Sequence, residues 1–150
     1  MEDKKTKQVI VFRKDLMKGD HSLRKGKIAA QVAHASLGAL LKMAYRKEYI
    51  GSCLAGKQQL FKKIEFEFPE DSVLDKWLNG IFTKICVCVD NDEELVALYN
   101  KITNESEIPC ALITDAGNTE FHGVPTNTCI GIGPWWSDEI DKFTKDLPLF

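Results

Sequence analysis

The stretch that decides the fold is residues 8–48, QVIVFRKDLMKGDHSLRKGKIAAQVAHASLGALLKMAYRKE. Gln8–Arg13 is apolar and β-branched, which predicts a buried first strand. A polar segment containing Gly19 follows and indicates a loop. Lys25–Glu48 is rich in Ala, Leu, Met and Lys and is the strongest helix prediction in the chain. A strand followed by a helix is the usual opening of an α/β domain.

Beyond this stretch, strands and helices continue to alternate. Lys57–Phe68 is ambiguous, because it starts like a helix and then alternates apolar and polar residues like a strand. The other predicted elements are a short helix at Ser72–Leu78 capped near Asp71, a strand at Phe82–Val89, a helix from Asp90 or Asn91 to about Asn104, a strand at Cys110–Thr114 that ends at Asp115, a strand at Thr128–Gly133 stopped by Pro134, and a helix at Ser137–Lys145 capped by Ser137. The order β-α-(insert)-β-α-β-β-α predicts a mostly parallel sheet with helices packed on it. A short loop precedes the last strand and allows it to run antiparallel.

Length and composition are those of one ordinary globular domain covering residues 1–150. Of the 150 residues, 44% are hydrophobic and 28% are charged. No apolar run approaches the roughly 20 residues that a membrane helix needs, and the polar start lacks the apolar core of a signal peptide. The five cysteines are an odd number without a CxxC pair, which favours reduced thiols. We therefore expect a cytoplasmic protein.

The net charge of −2 hides a strong asymmetry along the chain. Residues 1–63 hold 15 Lys and Arg against 5 Asp and Glu, a net charge of +10, whereas residues 64–150 hold 5 against 17, a net charge of −12. A basic half suggests a face for a polyanion such as a nucleic acid. The alternative is that the fold interleaves the two halves, so that the charges cancel.

The start of the long helix is the first candidate for a chemical site. Four polar or small residues follow one another there at spacings of 4, 3 and 4 and share one face: Lys27, Gln31, His34 and Gly38. Arg24, Lys25 and Lys27 crowd an N-terminus where the helix dipole is already positive, a conflict that natural sequences keep mainly at functional sites. A bound anion, either a phosphate or a developing oxyanion, would relieve it. The alternative is a basic helix end on the surface with a satisfied histidine.

The second candidate is Asp115–Thr119, DAGNT. Asp115 directly follows a predicted buried strand, at the sheet edge where α/β folds place their sites, and Thr128 opens the next strand and can face the same opening. The alternative is an aspartate that caps its own turn. The sequence has no phosphate loop, no dinucleotide fingerprint and no metal-ligand spacing, so we expect neither a metal nor an organic cofactor.

Three blocks of the sequence resemble the type II peptidyl-tRNA hydrolases. They are Val9–Leu16 (VIVFRKDL), Lys25–Ala35 (KGKIAAQVAHA) and Asp115–Thr119 (DAGNT), the last continuing through Thr128–Pro134 (TCIGIGP) to Ile140–Leu149. The resemblance implies a four-stranded mixed β-sheet flanked by helices, a possible homodimer, and hydrolysis of the ester that joins a peptidyl group to the terminal ribose of tRNA. The alternative function is a non-catalytic adaptor on the same fold that binds RNA or protein.

Carried over by motif position, the resemblance implies a catalytic group of Lys27 and Asp115, with Thr119, Gln31, His34 and Thr128 around them. The residues that we expect to bind tRNA are Lys14, Lys18, Arg24 and Lys25. Asn118 departs from the family pattern, which often has a basic residue there. The region from about 45 to 80 is longer than the family's usual connection, and we leave open whether it is a lid, an arm that contacts tRNA or a dimer element.

Overall fold

A computed structural model of the chain describes residues 3–17 and 23–150. Eleven elements follow in chain order, with bounds as follows: strand β1 Thr6–Arg13, a short 3-10 helix Lys14–Met17, helix α1 Lys25–Leu41, β2 Tyr45–Ser52, β3 Gln58–Glu65, α2 Val73–Leu78, β4 Lys84–Val89, α3 Asp92–Glu105, β5 Cys110–Asp115, β6 Thr126–Trp136 and α4 Ser137–Thr144. None of the helices among these residues is long and apolar enough to cross a membrane.

Four of the strands form one mixed sheet in the order β4-β1-β6-β5. β1 pairs in parallel with β4, whereas β6 lies between β1 and β5 and runs antiparallel to both. The four-stranded mixed sheet is therefore confirmed. The expectation of a mostly parallel sheet is wrong, because the last strand enters the middle of the sheet and makes two of its three pairings antiparallel.

The alternation of β1 sends its apolar side chains to both faces of the sheet. Val9 and Val11 belong to a buried cluster that also includes residues of α3 and α4. Ile10 and Phe12 point the other way, into a cluster that contains Ala35 of α1. All four β1 side chains are 1% exposed or less, so α1 covers one face of the sheet while α3 and α4 cover the other.

The small residues of α1 let this helix lie very close to β6. Ala35 and Ala39 are fully buried on the helix side. A Cβ atom added to Gly131 on the strand would lie 2.1 Å from the Ala35 carbonyl oxygen, so only glycine allows this approach. This contact sets the distance between α1 and the sheet, and therefore the position of the side chains of α1 relative to the sheet.

The long helix ends earlier than its composition predicts. The prediction of Lys25–Glu48 is wrong beyond Leu41, because residues 45–52 form β2 and pair antiparallel with the ambiguous segment, which is β3 at Gln58–Glu65. Helix propensity is a weak prior, and cross-strand pairing with a segment that follows only five residues later overrides it. The insert thus contains a β-hairpin followed by α2.

Two other predicted boundaries differ, both near Pro134. β6 does not stop there but continues to Trp136. The β1–β6 register shifts between Lys7 and Val9, so Pro134, which has no N–H to donate, lies at an irregularity of the ladder and not within its regular part. Ser137 does not cap α4. The N-cap residue is Trp136, and its side chain makes no capping bond.

The other predicted caps and the cysteines are close to expectation. Asn91 caps α3 by accepting a hydrogen bond from the Glu94 N–H, as predicted. The cap of α2 is Ser72, one residue after the predicted Asp71. All five cysteines are free thiols, which agrees with the prediction of reduced cysteines.

Candidate active site

The candidate site lies where the start of α1 crosses the edge of the sheet formed by the end of β5 and the start of β6. Lys27 is in the first turn of α1, Asp115 is the last residue of β5, and Thr128 is near the start of β6. The antiparallel β5–β6 pairing brings these two strand ends to the same edge. Residues 88 positions apart in sequence are thereby placed in contact.

Lys27 and Asp115 form the central ion pair. The Lys27 Nζ atom lies 2.6 Å from Asp115 Oδ2, and it also donates a 2.9 Å hydrogen bond to the Thr119 hydroxyl oxygen. The two charged side chains are only 15% and 13% exposed. Such limited exposure reduces screening by solvent, so this pair is held more firmly than an ordinary surface ion pair.

A hydrogen-bonded chain of buried polar groups supports Asp115 from below. The Gln31 amide nitrogen donates to Asp115 Oδ2 at 3.0 Å, and the Gln31 amide oxygen accepts from the Thr128 hydroxyl at 2.7 Å. Gln31 is 1% exposed and Thr128 is fully buried. Because both ends of the amide have partners, its orientation is determined, and Gln31 holds the carboxylate in one position.

The turn after β5 completes the environment of Asp115. The Gly117 backbone N–H donates to Asp115 Oδ1 at 2.8 Å, so both carboxylate oxygens accept hydrogen bonds. Gly117 has a φ of +83°, and an added Cβ atom there would lie 2.5 Å from the Val124 carbonyl oxygen. Glycine is thus required for this turn to close over the carboxylate.

These contacts keep Asp115 ionised. The hydrogen bond from Lys27 lowers the pKa of the Asp115 carboxyl below its usual value, partial burial opposes this, and the Gly117 N–H lowers the pKa further. A carboxylate with a lowered pKa and hydrogen bonds at both oxygens is a weak base. Its geometry fits a group that holds Lys27 in place rather than one that accepts a proton.

The lowered pKa of Asp115 predicts a specific pH dependence of stability. Because the folded pKa lies below the unfolded value of about 3.9, the stabilisation is fully present above that value and is lost as the pH falls through the folded pKa. The measurement is the free energy of unfolding of wild type and Asp115→Asn from pH 7 to pH 3. We expect a constant difference between pH 7 and 5 and a shrinking one below about pH 4. A wild-type stability that instead rises relative to Asp115→Asn as the pH falls from 7 to 5 would show that the folded pKa is raised.

The basic N-terminus of α1 is approached by a carboxylate from another part of the chain. The first turn holds no acidic residue, and Arg24, the N-cap residue, makes no side-chain capping bond. Glu120 supplies the carboxylate: its Oε2 atom accepts a 3.4 Å hydrogen bond from the Arg24 backbone N–H, and its Oε1 atom lies 3.7 Å from Arg24 Nε. The conflict noted in the sequence is thus partly relieved within the protein.

Sequence reasoning missed two residues that border this site. They are Glu120, which approaches the helix N-terminus, and Phe121, whose ring centroid lies 5.8 Å from Lys27 Nζ. The only available signal was their position directly after the DAGNT block. Neither residue type at that spacing points to a particular chemistry by itself.

The remaining predicted residues do not all join the cluster. His34 is exposed, and it makes no hydrogen bond or ion pair within residues 3–17 and 23–150. Lys14 forms an ion pair with Asp90 at 2.7 Å. Arg24 and Lys25 are exposed at the start of α1. Lys18 lies outside the residues that the structure describes.

Comparison with known proteins supplies the family. A family model described as peptidyl-tRNA hydrolase PTH2 matches residues 6–150. The chain belongs to this family. Similar curated proteins carry the name peptidyl-tRNA hydrolase. One from Methanopyrus kandleri is 38% identical over 143 residues, covering 95% of this chain and 97% of that protein, and one from Sulfurisphaera tokodaii is 40% identical over 144 residues, covering 96% and 98%. A third, from Sulfolobus acidocaldarius, is 37% identical over 134 residues, covering 89% and 95%.

Proposed function

We propose that this chain hydrolyses the ester bond between a peptidyl or N-blocked aminoacyl group and the terminal ribose of tRNA, releasing free tRNA. The observation that carries the proposal is the partly buried Lys27–Asp115 ion pair with Thr119 beside it, in a member of the peptidyl-tRNA hydrolase family. A protein that only bound RNA would need basic residues but not a carboxylate anchored by Gln31 and the Gly117 N–H.

Ester hydrolysis places two demands on the site. Water must be held against the ester carbon, and the negative charge that develops on the carbonyl oxygen must be stabilised. Lys27 meets the second demand, because its ammonium group is oriented by Asp115 and is partly shielded from solvent. Thr119 meets the first demand. Its hydroxyl oxygen accepts a hydrogen bond from Lys27, so its own O–H group can donate a hydrogen bond that orients a water.

The atoms balance without any covalent intermediate on the protein. The hydroxyl of the water is added to the peptidyl carbon, and the water's other proton passes to the ribose oxygen that leaves. Asp115 acts in this scheme by holding Lys27, and Gln31 and Thr128 act by holding Asp115. His34 has no role in this scheme, because it is exposed and, among the described residues, makes no hydrogen bond or ion pair with the cluster.

The decisive experiment is a release assay with purified protein and N-acetylaminoacyl-tRNA. We expect multiple turnovers with release of the N-acetylamino acid and free tRNA. Binding of the tRNA without release would instead favour the adaptor, the alternative function.

We propose that the reaction needs no metal or other cofactor. Lys27 supplies the positive charge that a metal ion would otherwise provide, and within residues 3–17 and 23–150 no group of three His, Cys, Asp or Glu side chains is arranged to hold a metal. We therefore expect turnover in the release assay to be unchanged by excess EDTA. A loss of turnover that one added divalent metal restores would contradict this prediction.

We propose that tRNA reaches the site over the basic start of α1. Arg24 and Lys25 are exposed there and close to Lys27 in sequence. Lys18, a further proposed contact, lies outside the residues that the structure describes. Lys14 is the weakest of the proposed contacts, since Asp90 already binds it. A homodimer and a cytoplasmic location stay predictions.

A further inference from the structure

The β2–β3 hairpin, residues 45–65, is an arm separate from the main sheet. Its two strands pair with each other over their full length, from Tyr45 opposite Glu65 to Ser52 opposite Gln58, and neither strand joins the four-stranded sheet. All but four of its residues are exposed. At about 3.4 Å per residue, eight residues make each strand about 27 Å long.

An isolated two-stranded hairpin is marginally stable in water, so this arm needs internal support. Tyr49 and Phe61 provide it: they are directly opposite each other, with ring centroids 5.3 Å apart and planes inclined by 11°. Gly51 leaves room for the Phe61 ring, since an added Cβ atom would lie 2.8 Å from it. The arm is therefore built to keep its shape while it projects from the domain.

The arm is basic, whereas the rest of the protein is acidic. Residues 45–65 carry five Lys and Arg against two Glu, a net charge of +3, and the other residues therefore sum to −5. The five cations lie on both strands and the connecting loop and are exposed: Arg46, Lys47, Lys57, Lys62 and Lys63. A basic extension on an acidic protein is complementary to a polyanion.

The structure also indicates which of these cations are available. Lys47 and Lys63 lie within 3.2 Å of Glu65, and Lys62 lies 3.8 Å from Glu48. Arg46 and Lys57 form no ion pair within the described part of the chain. These two side chains are the strongest candidates for contact with phosphates.

The base of the arm lies at the opposite end of α1 from Lys27. Lys27 lies 14 residues before the end of α1, which places it about 21 Å from that end at 1.5 Å per residue. The arm starts four residues beyond Leu41. A group that binds there can contact the body of a large substrate without contacting its reactive end.

We propose that the β2–β3 arm binds the phosphate backbone of tRNA, chiefly through Arg46 and Lys57. The proposal rests on the proposed function for the identity of the nucleic acid. Pairing of two arms through the exposed Ile50, Leu60 and Ile64 is disfavoured, because it would bring together two segments of charge +3. The arm therefore supplies affinity for the substrate, while Lys27 and Asp115 supply the chemistry.

The test compares two double variants that remove the same charge. Arg46→Ala/Lys57→Ala changes the arm, and Lys101→Ala/Lys145→Ala removes two exposed cations from α3 and the end of α4, so both proteins go from a net charge of −2 to −4. The first measurement is the Kd for deacylated tRNA at several salt concentrations. The second is hydrolysis of an N-acetylaminoacyl ester of the CCA trinucleotide, which lacks the base-paired stem.

We expect the arm variant to bind tRNA about five- to tenfold more weakly and to flatten the slope of log affinity against log salt by about 1.5, with the control close to wild type. Hydrolysis of the CCA ester should be equal in all three proteins. An unchanged Kd and slope in the arm variant, or equal losses in both variants, would overturn the proposal. Failure of the wild type to cleave either ester would count against the proposed function alone, because the binding measurement does not depend on cleavage.

Discussion

Replacing Asp115 with asparagine, or Lys27 with alanine, should lower kcat for peptidyl-tRNA by about 100- to 1000-fold, the usual cost of removing a group that stabilises developing charge. Asp115→Asn leaves Lys27 without its charged partner, so the ammonium group is no longer held against the ester. Lys27→Ala removes that group altogether. Both side chains lie at the ends of elements and outside the two apolar clusters, so the fold should persist.

A matched control is available in another ion pair of similar length. Lys76 and Asp3 are 2.7 Å apart at the surface, and Asp3 is 88% exposed. Asp3→Asn and Lys76→Ala should leave kcat within about twofold of wild type, since exposed pairs contribute little. The measurements are single-turnover rates together with circular dichroism melting curves. If Asp115→Asn keeps near-normal turnover while folded, the role assigned to the Lys27–Asp115 pair is wrong.

Helical periodicity predicts part of the site but not all of it. Spacing alone places Lys27, Gln31 and His34 on one face of α1, and the structure brings Lys27 and Gln31 to Asp115. His34 remains exposed, because the edge of the sheet covers only part of that face. Periodicity indicates which side chains are neighbours on the helix. It does not indicate how far the partner strands extend beneath them.

Elements that depend on pairing with another strand were the hardest to predict. β2 contains Arg46, Lys47 and Glu48, which are compatible with a helix, and it forms a strand because β3 lies opposite it. β6 likewise continues past Pro134 because β1 is available on one side and its register is irregular there. In contrast, β1 and the starts of α1 and α3 depend on local patterns and caps, and the sequence predicts them closely.

The contact between α1 and β6 links the fold to the chemistry, and it predicts a large effect from a single methyl group. In Gly131→Ala the new Cβ atom would lie 2.1 Å from the Ala35 carbonyl oxygen and 3.2 Å from the Ala39 Cβ atom, so α1 must move outward. Overpacking of this kind costs about 1–3 kcal/mol of unfolding free energy. Lys27 belongs to α1 and Asp115 to β5, so a movement of α1 by about 1 Å would change the distance between the two side chains. Such a change should also lower kcat by about 100-fold.

A glycine-to-alanine substitution within α1 itself serves as the control for stability. An added Cβ atom at Gly26 meets nothing within 4 Å, so Gly26→Ala should raise the unfolding free energy by up to about 1 kcal/mol. Chemical denaturation measures both variants, and single-turnover kinetics measures Gly131→Ala. If Gly131→Ala retained wild-type stability and turnover, the Lys27–Asp115 distance would not depend on this backbone contact. A loss of stability with unchanged turnover would show instead that α1 tilts about its N-terminal end, so that its C-terminal half moves outward while Lys27 stays in place.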